Sequence, residues 1–155
     1  MPPRWNPKWI GEQGECAFLD AAMSRGFLVS KPFGDSARYD FIVDPTGPDG
    51  GRGPLWRVQV KSALTRSGTR SPYPGYVISV RHGTPPKICG FEDADFLAAY
   101  IFDYHAWYII PMTATTGAGS LWLYPNRKTR GMFERFREAW HLLRSSRLLT
   151  LRRND

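Results

Sequence analysis

Two short runs carry the residues best suited to chemistry. Asp40 lies in Tyr39-Asp40-Phe41-Ile42-Val43, and Leu55-Trp56-Arg57-Val58-Gln59-Val60-Lys61-Ser62 holds Gln59 and Lys61 near its end. Both runs are rich in β-branched and aromatic residues, as strands are. Side chains alternate along a strand, so Arg57, Gln59 and Lys61 share one face while Trp56, Val58 and Val60 share the other. A carboxylate on one strand beside an amide and an ammonium on its neighbour can make a metal site with an adjacent amine.

The elements around these runs must position them. Residues 44–54, with three prolines and four glycines, form neither helix nor strand and read as a long hairpin loop. Upstream, Asn6-Pro7 is a helix start, a capping side chain followed by proline at the first helical position. A helix from about Pro7 to Arg25 then ends at Gly26, a left-handed cap. Gly11 and Gly14 weaken it by about 1 kcal/mol each but allow close backbone approach to a sheet. Glu12, Glu15, Leu19 and Ala22 follow helical spacing, which brings a carboxylate to the border of the buried face. The same acids also suit a solvated first turn that complements the helix dipole.

Further along, Phe27–Lys31 and Tyr76–Val80 read as strands, and His82–Gly90 as irregular chain. Asp95–Ile101 and Trp107–Ile110 read as a buried antiparallel pair, and Leu121–Tyr124 as a short strand or edge. The Ser62–Gly75 loop, with Arg66 and Arg70, either contacts phosphates or is a solvated connection. Met132, Phe133, Phe136, Trp140 and Leu143 repeat at helical spacing, which predicts a basic amphipathic helix over about 131–147.

Composition bounds the class. At 155 residues with 42% apolar side chains, the chain is expected to be one domain, 1–155, with a core that needs no disulfides. Cys16 and Cys89 are too scattered for a disulfide framework or a zinc site. No apolar run is long enough to span a membrane and no secretory signal is present, so a soluble cytoplasmic protein without a membrane partner is expected. The net charge is +7. Residues 127–155 hold nine Arg or Lys, among them Arg127, Lys128 and Arg130, against three acids, which leaves about +1 for everything before them. Such a segment attracts polyanions, nucleic acid first.

Other chemistries find no support. There is no nucleophile elbow, Walker loop or GxGxxG, and His82, His105 and His141 have no metal-ligand spacing. What remains is Glu15 on the helix, Asp40 on the next strand pair, and Gln59-Val60-Lys61.

In that order these residues resemble the PD-(D/E)XK nuclease superfamily. Gly11-Glu12-Gln13-Gly14-Glu15, Arg25-Gly26-Phe27, Pro32-Phe33-Gly34-Asp35, Tyr39-Asp40 and Val58-Gln59-Val60-Lys61-Ser62 follow the family pattern in order and spacing, and Tyr108-Ile109-Ile110-Pro111 looks like a later strand. The likeness covers most of residues 10–111. It is nearest to small bacterial proteins related to group I intron-encoded endonucleases, and more distant from archaeal Holliday junction resolvases.

The resemblance implies an α/β fold with a restriction-endonuclease-like core, a mixed β-sheet of about five strands flanked by helices. It implies a metal-dependent DNA endonuclease in which Asp40, Gln59, the Val60 carbonyl and Glu15 hold Mg²⁺ (Mn²⁺ as a substitute) and Lys61 orients the attacking water. Phosphates would be held by Arg66, Arg70, Arg127, Lys128 and Arg130, and a homo-oligomer would cut both strands. The chain departs from the pattern at Gln59, where the family usually has an acid. An amide oxygen coordinates Mg²⁺ without bringing charge, so the alternative is an inactive nuclease-fold module that binds nucleic acid.

Overall fold

A computed structural model describes residues 6–68, 74–126 and 131–145. The helix α1 spans Pro7–Ser24, with Asn6 accepting a hydrogen bond from Trp9 N–H and Gly26 following at φ 80°. Its buried stripe is Gly14, Phe18 and Ala22, so Glu15 stands at the stripe's edge. Gly14 is required there, because a Cβ would fall 2.9 Å from Ser62 Oγ. Gly11 meets open space instead.

Nine strands follow: β1 (Leu28–Ser30), β2 (Phe41–Asp44), β3 (Trp56–Ala63), β4 (Tyr76–Ser79), β5 (Arg81–His82), β6 (Lys87–Ile88), β7 (Phe96–Ile101), β8 (Ala106–Pro111) and β9 (Ser120–Leu123). Five form the main sheet in the order β1-β2-β3-β7-β8. Only the β3–β7 pair is parallel, which makes the sheet mixed as expected. The strand at 76–80 forms as expected but lies outside this sheet, where β4 pairs with β9 in an antiparallel ribbon. The 82–90 stretch is not wholly irregular, because it closes a two-residue-a-side hairpin, β5–β6.

The sheet is buried on both faces. Phe96, Ala98, Trp107 and Ile109 pack with Phe18 of α1, while Leu97, Ala99, Tyr108 and Ile110 pack with Ile78 and Leu121 of the ribbon. Strands covered on both sides carry continuous apolar runs, and every residue of β7 and β8 is buried.

The C-terminal helix over 131–147 does not form. Two 3₁₀ turns, Glu134–Phe136 and Trp140–Arg144, flank Glu138, whose φ is 50°. β8 is an edge strand with backbone groups to satisfy, and this segment satisfies them. Glu138 N–H donates to Trp107 O at 2.8 Å, its Oε1 accepts Trp107 N–H at 2.8 Å, and Arg137 bridges Tyr108. Phe133/Phe136 and Trp140/Leu143 still reach the core, since an i, i+3 pair serves a 3₁₀ turn as well as a helix. Met132 does not, at 78% exposed. α1 is therefore the one α-helix among the described residues.

Candidate active site

Register fixes which side chains meet. Phe41 pairs with Val58 and points with it toward α1, so Asp40, one residue earlier, turns toward the face that carries Gln59 and Lys61. Asp40 N–H donates to Val58 O at 2.9 Å and extends the β2–β3 ladder by one bond. Its Oδ2 then accepts Gln59 Nε2 at 2.6 Å and Val60 N–H at 2.7 Å. Gln59 is 7% exposed, so this amide is committed to the site rather than to solvent.

Glu15, Asp40, Gln59, Val60 and Lys61 all line one cleft of about 800 Å³. Four sequence-derived positions, helix, strand end and the Gln-x-Lys pair, thus converge across 46 residues of chain. Burial, the largest influence, and the neighbouring Glu15 charge hold the Asp40 carboxyl above the ordinary carboxylate range. The Val60 N–H and the charges of Lys61 and Lys31 pull the other way without overcoming burial. Asp40 is thus a half-buried acid whose two hydrogen-bond donors, the Gln59 amide and the Val60 N–H, are neutral.

Two neighbours were not legible in the motif. Lys31, just past β1, places its Nζ on Glu15 Oε2 and 4.9 Å from the centre of the Phe41 ring. Asp93 accepts from Arg38 Nη1 at 2.8 Å beside the same residues. Arg57 shares the Gln59/Lys61 face by alternation but is scaffold, donating to Asp95 and to the carbonyls of Glu92 and Phe91.

The expected phosphate contacts divide differently. Arg66 is exposed on the loop after β3, whereas Arg70, Arg127, Lys128 and Arg130 lie outside the described residues. Within the basic C-terminal segment, Arg137 donates to Pro125 O and Glu134, and Arg144 donates to Pro45 O and Arg25 O and stacks over Phe27. Those two cations hold the segment down. His105 is tied to Tyr100 OH at 3.1 Å, in keeping with a structural role.

The family model for PD-(D/E)XK endonucleases matches residues 5–142. The chain belongs to this family. A solved structure, titled as that of the bacterial homing endonuclease I-Ssp6803I, is similar over 97% of this chain and 98% of that chain, with a TM-score of 0.72 and 26% identity. Comparison with the sequences of curated proteins gives no match. As a PD-(D/E)XK endonuclease the chain has a restriction-endonuclease-like α/β fold, and nucleic acid is its substrate class. No described helix is long and apolar enough to cross a membrane.

Proposed function

We propose that this PD-(D/E)XK protein is a divalent-metal-dependent DNA endonuclease acting at Asp40. The observation that carries this reading is the Asp40 carboxylate, 2.6 Å from the Gln59 amide, in one cleft with Glu15 and Lys61 and paired by neutral donors alone.

The donor set fits Mg²⁺, with Mn²⁺ as a substitute. Among the described residues no three His, Cys, Asp or Glu side chains gather as a metal cluster, which argues against zinc. Mg²⁺ instead takes one or two carboxylates and keeps several waters. Asp40, the Gln59 amide oxygen and the Val60 carbonyl would hold it, with Glu15 assisting directly or through water. When bound, such an ion polarises a phosphoryl oxygen and lowers the pKa of a water.

The chain's own residues do the rest. Asp40 and Gln59 fix the place of attack, and the Asp40–Val60 bond locks their relative orientation. Lys61, on the Gln59 face one strand repeat further, orients the attacking water and offsets charge growing on the phosphorane. Two such sites in a homo-oligomer would cut both strands of a duplex.

The test is cleavage of plasmid, linear and four-way-junction DNA with Mg²⁺ or Mn²⁺, comparing the wild type with Asp40→Ala and Lys61→Ala. Metal-dependent nicking lost in both variants is expected. Salt-sensitive binding without cutting of any substrate would instead identify the inactive binding module that Gln59 raises as a second reading.

A further inference from the structure

The cleft does not end at the Asp40 site. Beyond Asp40, Gln59 and Lys61 it continues for about 670 Å³ between the chain entering β2 and the β5–β6 hairpin, where Arg38, His82 and Lys87 line it. Asp93, 9% exposed, joins two of these. Its Oδ1 accepts Arg38 Nη1 at 2.8 Å, while Oδ2 accepts Gly90 N–H at 3.0 Å and lies 3.5 Å from His82 Nε2. The Arg38 side chain nonetheless stays 67% exposed. A guanidinium clamped at one nitrogen and open on its other side presents a ready fork to a phosphate.

Placement and charge agree. Arg38 stands two residues before Asp40, so their Cα atoms are at most about 7 Å apart. Asp93 is neutralised by Arg38. Asp40 is assigned to the cation. That leaves Asp35 as the remaining acid facing Lys61, Lys87 and His82 in this part of the cleft. Lys87 is exposed on the hairpin and free to follow a strand backbone.

We infer that Arg38, His82 and Lys87 bind the backbone phosphate next to the one attacked at Asp40, with Asp93 as the positioning residue for Arg38 and His82. The inference rests on the nuclease reading of Asp40. It assigns the β5–β6 hairpin a DNA-strand contact and gives the cleaved strand a path through the cleft.

The test is an NMR titration of the full, metal-free chain with thymidine 3′,5′-bisphosphate, whose two phosphates flank one sugar as in a DNA strand. The His82 ring signals should shift, and Arg38→Gln should weaken binding about tenfold, the size of one charge-assisted hydrogen bond. Lys87→Gln, on an exposed side chain that no fold contact needs, should weaken it by a smaller factor. Arg52→Gln, an exposed cation on the 44–54 loop outside this cleft, should leave it within about twofold. Binding that ignores both Arg38→Gln and Lys87→Gln, or that leaves His82 unmoved, would overturn the assignment. No cleavage is measured here, so a negative plasmid assay would count against the Asp40 reading alone.

Discussion

Asp40 and Asp93 are two acids on one cleft, and their environments are opposites. Burial acts on both in the same direction, disfavouring the charged form. At Asp93 the Arg38 guanidinium, the Gly90 N–H and the His82 ring outweigh it, so the carboxyl is held below the ordinary range. At Asp40 the hydrogen-bonding partners are an amide and a backbone N–H, with lysine charges acting only from a distance, and the carboxyl is held above that range. A buried acid that already has its cation is scaffold. One that lacks it, as Asp40 does, is on the proposed reading the place for a cation from solution.

The sharpest way to break this comparison is to neutralise each acid in turn. Asp40→Asn should cut the metal-dependent nicking rate by more than about 100-fold, since even residues that only support metal ligands cost 10- to 100-fold. The same change should raise the metal-free thermal midpoint, by about 2–4 °C if it relieves about 1 kcal/mol in a chain of this size. Asp93→Asn should do the reverse, lowering stability by about 1–3 kcal/mol because a buried carboxylate that holds Gly90 and Arg38 is lost. Calorimetric melting in EDTA reads both. Midpoints that move the same way in the two variants would mean that the acids are not opposites.

The comparison also predicts opposite pH dependence. Asp40 has a raised folded-state pKa, so the native chain holds that proton more tightly than the unfolded one. Its contribution to stability is greatest below the ordinary carboxylate value, about 3.9, and declines as pH rises through the raised one. Asp93 has a lowered pKa, so its contribution is full above about 3.9 and disappears as pH falls through the lowered value. Urea melts of the wild type and both Asn variants between pH 3 and 7 should therefore give difference curves of opposite slope. Parallel curves would remove the electrostatic basis for treating Asp40 as a cation receptor.

How much of this was readable in the sequence depends on how local its cause is. The Gln59/Lys61 face follows from strand alternation, and the Asn6-Pro7 start from cap chemistry, so both were legible. Glu15 was legible as a border residue, but the reason for its place, Gly14 pressed against Ser62, is a tertiary contact. The C-terminal segment misled because Phe133, Phe136, Trp140 and Leu143 suit a helix and two 3₁₀ turns equally. The free edge of β8 decided between them through Glu138, which no periodicity shows. Arg137 and Arg144 belong to the basic 127–155 segment expected to attract polyanions, yet carbonyls, Glu134 and Phe27 occupy them. Arg38, His82 and Asp93 come from two connections and strand β5, spread over 55 residues, with nothing in their spacing to join them.

Gln59 offers a way to sharpen the contrast. Gln59→Glu puts a second carboxylate where an amide now donates to Asp40 at 2.6 Å. Without metal, two like charges at this range should lower stability at neutral pH and drive a shared proton onto the pair. With Mg²⁺ the added ligand charge should tighten binding by about tenfold, read by calorimetric titration and by a larger Mg²⁺-induced rise in the melting midpoint. An unchanged Mg²⁺ affinity would place the ion away from Gln59.

The smallest expected effect bears on Glu15, the acid whose role the sequence left open. Lys31 and Glu15 form an exposed pair, their side chains 58% and 31% accessible, so Lys31→Met should change stability by less than about 1 kcal/mol. Its consequence for metal is the informative part. If Glu15 assists the cation, Lys31 competes with that cation for the same carboxylate, and removing it should tighten Mg²⁺ binding by about two- to threefold, a shift of under 1 kcal/mol. If the pair only fastens α1 to the end of β1, Mg²⁺ affinity should not move. Titration of the wild type, Lys31→Met and the Lys31→Met/Glu15→Gln double variant separates the two, because the gain must vanish in the double variant. A gain that persists there would come from the general field of the lysine and would take Glu15 out of the metal shell.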